Sequence, residues 1–407
     1  MLKHVVLGVF VSGLISVAPG VEERSDEDRI AALEQQVNAL SEEINEQREL
    51  GAAEAYNPLG KLRLGGYGEI HANFEEDGNS VFDIHRFVMY VGYDFSDWIK
   101  LNSEIELEHA FVTDSADGDH GGEISIEQLF VDFLFADSFN ARMGRMLAPL
   151  GIINQYHEPT LFLGVERPSV DKYIIPTTWS IDGAGIFGSP LGWLSYQAYV
   201  VGGLDGSEFS ADEGVRDGRN KERSGLNDPA VTGRIDLFPF DEQELRVGVS
   251  GYYGGTDNAN KGGGNGTEND FAMVSADFEY EIARFRFRGV VALGENSDPQ
   301  NLPAGVGEEI FGWYLEGGMD VMPESWKKGK MAEAGLVPFV RYEEYDTQHE
   351  VPNGTAKDGA NDRTDITVGV NFPLTQQFVL KADYQFRYSE AASNPNNIFN
   401  LGMGWAF

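Results

Sequence analysis

The sequence predicts an all-β protein, a 16-stranded antiparallel transmembrane β-barrel preceded by an N-terminal periplasmic helical coiled-coil stalk. Three observations lead to this prediction. Apolar side chains recur at every second position in the body of the chain, the connections between these segments alternate between short and long, and a heptad pattern precedes them. The predicted units are a signal peptide (1–20), a coiled-coil stalk (21–50), a linker (51–60) and the barrel (61–407).

The composition narrows the possible functions. The 407 residues contain no cysteine, which excludes disulfide scaffolds, zinc fingers, thiolate nucleophiles and iron–sulfur sites. The formal net charge of −36, from 66 acidic and 30 basic residues, argues against nucleic acid or an anionic membrane surface as the main partner. Neither an HExxH-type histidine pair nor a G-x-S-x-G motif occurs in the chain. We therefore expect no enzyme activity, no cofactor and no metal site.

The first twenty residues have the features of a secretory signal peptide. Lys3 and His4 precede an apolar run at 5–17, and the small residues Ala18 and Gly20 occupy the −3 and −1 positions of a cleavage site. The run is too short to cross a membrane as a helix. A buried N-terminal helix is the alternative interpretation.

A short amphipathic helix follows the signal peptide. Its apolar residues step three and four positions apart, as in the seam of a coiled coil, at Ile30, Leu33, Val37, Leu40 and Ile44. Because about two heptads are marginal for isolated helices, we expect a larger assembly to hold these helices together. The alternative is a single helix packed against its own domain.

The body of the chain alternates apolar and polar residues with a period of two, as β-strands do. Most of the alternating segments are near the ~9–11 residues that a tilted membrane strand needs. We predict sixteen strands, at 61–74, 81–93, 98–112, 123–135, 139–147, 181–188, 192–202, 229–238, 244–254, 270–280, 283–294, 309–321, 337–346, 363–372, 377–388 and 398–407.

The connections between the predicted strands alternate in length. Short connections such as 94–97 and 188–191 alternate with long ones such as 148–180 and 203–228. This alternation is typical of outer-membrane barrels, and an even number of strands places both barrel ends and the stalk in the periplasm. A soluble β-sandwich is the alternative, but sixteen strands exceed the usual size of one soluble sheet.

Charged residues that alternate with apolar ones are expected to face the barrel interior, because a charge facing lipid costs about 2–4 kcal/mol at the midplane. An acidic ladder on the third strand and a basic ladder on the eleventh should then stand on opposite walls and create a transverse field. The alternative is that each ladder pairs with neighbouring strands or an inserted loop. The predicted pore-lining residues are Glu104, Glu106 and Glu108 on the third strand, Arg284, Arg286 and Arg288 on the eleventh, and Lys381, Asp383 and Arg387 on the fifteenth.

Several stretches of the chain, taken in order, resemble the phosphate-selective porin O and P family. They are DIHRFVMYVGYDFSDWIKLNSEIELEHA, IEQLFVDFLF, ARMGRMLAPLG, PFVRYEEYD and DITVGVNFPLTQQFVLKADYQFR. The G-R/Q-x-x-x-P-x-G turn of that family is matched by Gly144, Arg145, Pro149 and Gly151, and the terminal Phe407 resembles its signal for outer-membrane insertion.

This resemblance implies a trimeric 16-stranded channel whose third external loop folds inward. Residues 148–180 correspond to that loop. The candidate constriction residues in it are Glu166, Arg167, Asp171 and Lys172.

The sequence as a whole predicts an outer-membrane porin of a Gram-negative bacterium, with a water-filled channel for passive diffusion of small hydrophilic solutes and ions. The alternatives are a phosphate- or anion-selective channel and a structural tether that acts through the coiled coil. We expect a homotrimer in outer-membrane lipid and lipopolysaccharide, with peptidoglycan or a periplasmic protein as a candidate partner of the stalk and no nucleic-acid partner.

Overall fold

The computed structural model describes residues 58–109, 122–219, 222–240, 244–259, 262–392 and 395–407. The predicted signal peptide, the predicted stalk and most of the predicted linker lie outside the described residues.

The described part of the chain forms one closed antiparallel sheet of sixteen strands. Consecutive strands pair with one another, and the first strand pairs with the last to complete the barrel. The strands are β1 (Leu62–Glu75), β2 (Ser80–Asp94), β3 (Ile99–Glu108), β4 (Ile124–Ala136), β5 (Phe139–Leu147), β6 (Ser180–Leu191), β7 (Leu194–Gly202), β8 (Pro229–Leu237), β9 (Leu245–Gly255), β10 (Asp270–Ile282), β11 (Phe285–Asn296), β12 (Glu309–Met319), β13 (Val337–Glu350), β14 (Asp362–Thr375), β15 (Phe378–Ser389) and β16 (Ile398–Ala406).

The described helical elements are short and lie outside the strands. One α-helical turn, α1 (Val170–Tyr173), lies in the β5–β6 connection. The 3-10 turns are Pro58–Lys61, Gly206–Glu208, Arg216–Gly218, Pro299–Asn301 and Gly329–Met331. No helix in the described ranges combines the length and the apolar character needed to cross a membrane.

All sixteen predicted strands are confirmed, and the differences lie at their ends. The predicted turn at 188–191 is wrong, because β6 continues to Leu191 through an irregular pairing with β7, and the turn is formed by Gly192 and Trp193. Strand β13 is longer than predicted and runs to Glu350, into the predicted loop. Strand β3 ends at Glu108, whereas the predicted strand extends to residue 112.

The barrel places apolar side chains outside and charged ones inside, the reverse of a soluble protein. Val231, Val249 and Val274 lie on outward positions of three successive strands and are about half exposed, at 51–53%. Arg341 and Glu343, in contrast, are buried against the interior at 1% and 0% exposure. The two-residue period of the sequence therefore separates an apolar outer surface from a polar lumen.

Aromatic side chains gather outside the barrel near the turns that join β2 to β3 and β4 to β5. The ring of Trp98 lies 6.2 Å from that of Phe133 and 6.0 Å from that of Phe135, and Phe135 lies 6.1 Å from Phe139. An aromatic cluster of this kind at strand ends is typical of the girdles of membrane barrels.

A β-bulge changes the facing of β2. The pairing of β1 with β2 shifts between Glu69, opposite Arg86, and His71, opposite Asp83, so that β2 carries one extra residue. As a result His85 and Arg86, although adjacent, both make contacts on the lumen side. The bulge explains why the facing of this segment cannot be read from a strict two-residue period.

Gly144 in β5 lies where two strands approach closely. Its φ is +136°, which L residues with a side chain rarely adopt, and a Cβ there would overlap the backbone carbonyl of Leu129. Its partner across the ladder is another glycine, Gly183 of β6. The glycine of the G-R-x-x-x-P-x-G turn is therefore required by the backbone.

We expect Gly144→Ala to lower the free energy of unfolding by roughly 1–3 kcal/mol, because the added methyl group strains the backbone. Denaturant titration and heat-dependent electrophoretic mobility measure this loss. The matched control is Gly192→Ala, where a Cβ would meet nothing within 4 Å. Equal stability of the two variants would contradict the expectation.

Candidate functional site

The connection between β5 and β6, residues 148–179, lies inside the barrel, and we call it the lumen loop. Its backbone contacts inward side chains of strands spread around the wall. Gly151 N donates to Ser250 Oγ of β9 at 3.4 Å, Val170 N to Glu343 Oε2 of β13 at 3.2 Å, and Val165 N to Asp383 of β15 at 2.6 Å. Because these strands lie far apart in the ring, the loop crosses the lumen, as the family resemblance implies.

One side of the lumen is filled by an apolar core. The lumen loop packs Leu150, Ile174, Ile175 and Trp179 against inward side chains of the wall. The wall and the β7–β8 connection contribute aromatic and aliphatic residues, including Tyr199, Leu204, Phe209, Val215, Tyr252, Phe271 and Tyr314. The ring of Trp179 lies 4.8 Å from that of Tyr252. This packing resembles the interior of a soluble protein and closes part of the cross-section.

Polar side chains fix the loop on the other side. Lys381 donates to the carbonyl oxygen of Gly164 at 2.7 Å and lies 3.7 Å from the centre of the Phe162 ring. Asp383 accepts hydrogen bonds from Val165 N and from Asn400. The predicted pore-lining residues Lys381 and Asp383 therefore face the lumen, where they are almost fully buried beneath the loop.

A row of alternating charges runs around the inner wall from β8 to β13, and we call it the charge belt. Each arginine in it lies between two carboxylates, with N–O distances of 2.6–3.5 Å. Pairing of this kind offsets the high cost of burying each charge alone. In order, the belt is Asp236, Arg246, Glu279, Arg288, Glu316, Arg341 and Glu343.

The predicted acidic ladder faces the lumen, and its members have polar partners. Ile105 between them is exposed on the outer surface. Glu106 pairs with Arg86 at 3.0 Å, and Glu108 lies 3.9 Å from the same guanidinium. Glu104 accepts a hydrogen bond from Gln128 and lies near His157 of the lumen loop.

The three arginines of the predicted basic ladder lie at different depths along the barrel. Arg284 precedes β11 and pairs with Glu324, and Arg286 pairs with Glu281, with both side chains about half exposed near the strand end. Arg288 belongs to the charge belt, and it also donates to the carbonyl oxygen of Leu161 in the lumen loop at 2.7 Å. Strands β3 and β11 are eight positions apart in the closed ring. Of the three arginines, Arg288 alone contacts the loop among the described residues.

The four predicted constriction residues all belong to the lumen loop but have different surroundings. Glu166 lies 3.0 Å from His71 Nδ1, and Arg167 donates to the carbonyl oxygen of His157. Lys172 lies over the ring of Tyr173, whereas Asp171 is fully buried. Arg387, the last pore-lining candidate, pairs with Glu75 at 3.2 Å.

The environment of the loop shifts the pKa of three of its groups in different ways. Burial raises the pKa of the Glu166 carboxyl, but the hydrogen bond from His71 outweighs it and holds that pKa at about 2. Burial raises the pKa of Asp171 to about 8. Burial lowers the pKa of His157, but its contacts with Glu104 and Glu127 outweigh burial and raise the pKa to about 10. Glu166 is therefore ionised at neutral pH, whereas Asp171 is largely protonated.

A polar cavity of about 770 Å³ remains between the lumen loop and the wall. Five acidic and five basic side chains line it, although the whole chain is strongly acidic. The acidic ones are Glu69, Glu75, Asp83, Glu108 and Glu166, and the basic ones are Arg86, Arg167, Lys172, Arg216 and Arg387. The local charge balance of this cavity is thus very different from that of the protein surface.

Three histidines line the same cavity near Asp83. His71 and His85 stack with ring centres 4.6 Å apart, and His85 and His109 each contact the Asp83 carboxylate at about 3 Å. Arg86 donates to the other nitrogen of His85 at 2.8 Å.

Sequence reasoning missed most partners in these networks. Arg86, Glu127, Glu316 and His157 were not among the predicted site residues. Arg86 and Glu316 join neighbouring strands of the wall, and Glu127 and His157 join the wall to the lumen loop. The alternating pattern of its strand could have identified Glu316 as a residue that faces the lumen. The loop position of His157 offers no such signal.

Comparison with known proteins places the fold and the family. No protein-family model matches the chain, so the resemblance to phosphate-selective porins stays a prediction. Salmonella typhi OmpF in complex with daunomycin has a similar fold, with a TM-score of 0.58 and 12% identity over 85% of this chain and 97% of that chain.

Two further solved structures share the fold at similar distance. The anion-selective porin from Comamonas acidovorans has a TM-score of 0.51 and 11% identity, over 85% of this chain and 99% of that chain. The trimer form of OmpT, an outer membrane protein of Vibrio cholerae, has a TM-score of 0.52 and 11% identity, again over 85% of this chain and 99% of that chain. At such low identity the likeness concerns the fold alone.

One relative is similar in sequence over nearly the whole chain. It is a protein of Aquifex aeolicus (strain VF5) described only as uncharacterized, with 32% identity over 375 residues that cover 88% of this chain and 82% of that protein. The chain is therefore a 16-stranded closed β-barrel with the fold of outer-membrane porins, and it belongs to the same family as this Aquifex aeolicus protein.

Proposed function

We propose that the protein is an outer-membrane channel through which small hydrophilic solutes and ions diffuse passively. The observation that carries the proposal is the lumen loop, which narrows a polar barrel interior and leaves a charged cavity beside it.

The outer surface supports a membrane location. A continuous apolar surface around a barrel is far larger than the few hundred Å² that soluble monomers usually expose. In lipid the same surface is favourable, and a closed sheet leaves no backbone edge to satisfy. By the usual orientation of such barrels, the short turns, both barrel ends and the stalk lie in the periplasm.

The cavity supports a selective rather than a uniform channel. On the barrel wall, four acidic side chains of the cavity lining outnumber two basic ones, whereas on the connections three basic side chains outnumber one acidic one. The wall residues are Glu69, Glu75, Asp83, Glu108, Arg86 and Arg387, and the connection residues are Arg167, Lys172, Arg216 and Glu166. Opposed charges in a narrow polar passage orient dipolar solutes and set ion preference. We infer that the transverse field lies across this cavity rather than between the two ladders expected from the sequence.

We expect purified protein to give stable single-channel steps in planar bilayers. The lack of native cysteine makes a clean test possible, because each engineered variant carries one thiol. In Ser169→Cys, whose side chain lines the cavity, a bulky charged thiol reagent should reduce the conductance. The matched control is Val274→Cys, on the outer surface, where the reagent should change nothing.

If Ser169→Cys reacts with the reagent and its current does not change, the cavity is not on the conducting path. A protein that inserts and never conducts would instead support the structural tether.

We expect Arg288→Ala to shift the reversal potential in a salt gradient toward cation preference. Its removal leaves Glu279 and Glu316 without one of their cationic partners at the level of the lumen loop. The matched control is Arg286→Ala, two residues away on the same face, because Arg286 is half exposed and pairs with Glu281 at the strand end. Equal shifts in the two variants would contradict this expectation, because they would show that membership of the charge belt does not matter for selectivity.

Anion or phosphate selectivity is the second candidate function. The cluster of basic residues in the cavity favours it, since guanidinium groups form charge-assisted hydrogen bonds to oxyanions. The same bilayer recordings separate the two, because a phosphate channel shows anion preference and block of chloride current by phosphate. Loss of that block in the triple variant Arg284→Ala, Arg286→Ala, Arg288→Ala would assign it to the arginine row.

We expect the protein to be a homotrimer. The family resemblance implies this state, OmpT of Vibrio cholerae has a solved trimer form, and the heptad seam of the stalk needs partner helices. Native mass measurement after gentle extraction should give three chains, and removal of residues 21–50 should weaken the trimer. A monomer under these conditions overturns the assembly but leaves the channel function to the conductance test.

A further inference from the structure

Three buried side chains converge at the foot of the lumen loop. They are Glu104 of β3, Glu127 of β4 and His157 of the loop, with exposures of 1%, 5% and 2%. His157 Nε2 lies 3.4 Å from Glu104 Oε1 and 3.6 Å from Glu127 Oε2. Among the described residues none of these three atoms has a hydrogen-bond partner. Buried polar atoms without partners are rare and call for an explanation.

The opposite atom of each group is fixed by a neighbour. Gln128 donates to Glu104 Oε2, and Thr178 donates to Glu127 Oε1. His157 Nδ1 lies 3.2 Å from the backbone carbonyl oxygen of Asn154, which can only accept, so Nδ1 carries a proton there. With Nδ1 fixed in this way, Nε2 of His157 points at the two free carboxylate oxygens.

We propose that Glu104, Glu127 and His157 form a binding site for a divalent metal ion of the zinc type, which ties the lumen loop to the barrel wall. The spacing fits such an ion. Two ligand atoms about 2.0–2.2 Å from a tetrahedral Zn²⁺ are about 3.3–3.6 Å apart, and the separations here are 3.4 and 3.6 Å. All three ligand atoms lie within 4.8 Å of one another.

Three hydrogen bonds orient the proposed ligands, as outer-shell bonds do in metal sites. Gln128 donates to Glu104, Thr178 donates to Glu127, and His157 donates to the carbonyl oxygen of Asn154. One imidazole and two carboxylates suit Zn²⁺ or a similar transition metal better than Ca²⁺, which takes six to eight oxygen ligands. The ring of Tyr67 lies 5.8 Å from that of His157 and encloses the site from β1.

The cluster of Asp83, His85 and His109 near the cavity mouth is the competing location. Its nitrogens already contact Asp83, and Arg86 places a positive charge 2.8 Å from His85. A nearby guanidinium disfavours a divalent cation there. In the buried site, His157 Nε2 instead faces the carboxylates of Glu104 and Glu127.

The test is calorimetric titration of the chelator-treated, detergent-folded full chain with Zn²⁺. We expect one Zn²⁺ per chain, a raised unfolding temperature, and X-ray absorption distances of about 2.0–2.2 Å to nitrogen and oxygen. His157→Gln should weaken binding by more than the 10–100-fold typical of outer-shell changes, and Gln128→Ala should fall within that range. The matched control, His109→Gln, removes an exposed histidine of the mouth and should bind as the parent does.

Four results overturn the proposal. The first is that the parent chain does not bind Zn²⁺, and the second is that it binds Ca²⁺ as tightly as Zn²⁺. The third is that His157→Gln and Glu127→Gln both bind Zn²⁺ as the parent does. The fourth is that His109→Gln loses Zn²⁺ binding whereas His157→Gln keeps it. In the first case the cluster is a protonated histidine held by two carboxylates. Far-UV circular dichroism and electrophoretic mobility verify that each variant has folded before it is titrated.

Discussion

Closure of the sheet between β1 and β16 is the constraint on which the rest of the structure depends. Gly66 N donates to the carbonyl oxygen of Phe407 at 3.0 Å, and Phe407 N donates back to Gly66 at 2.9 Å. With no free edge, each strand has one face toward the lumen and one toward the surroundings. A charge on an inward position is thereby confined to the interior, where it needs a partner.

The interior meets that requirement in two ways. On the β7–β12 side, apolar packing beneath the lumen loop removes space that water and charges would otherwise occupy. Elsewhere, side chains from adjacent strands neutralise one another, as Arg341 does between Glu316 and Glu343. The polar cavity is a part of the lumen that neither arrangement fills.

The sequence predicts strand number and the facing of most strands because each depends on a local pattern, whereas the inward loop is implied by the family resemblance. It predicts that Glu106 faces inward, since Ile105 and Leu107 do not. It cannot identify Arg86 as the partner of Glu106, because that pairing depends on the register of β2 and on its bulge. The burial of Asp171 and the contacts of His157 depend on how an aperiodic loop crosses the barrel, and no spacing in the chain records that path.

The half-apolar lumen also gives the aperture a temperature dependence. Apolar contacts such as those around Trp179 weaken on cooling, whereas the hydrogen bond from Lys381 to the carbonyl oxygen of Gly164, on the other side of the loop, does not depend on the hydrophobic effect. Cooling therefore loosens the loop from one side while its polar anchors remain. We therefore expect cooling to displace one side of the loop rather than to widen the passage uniformly.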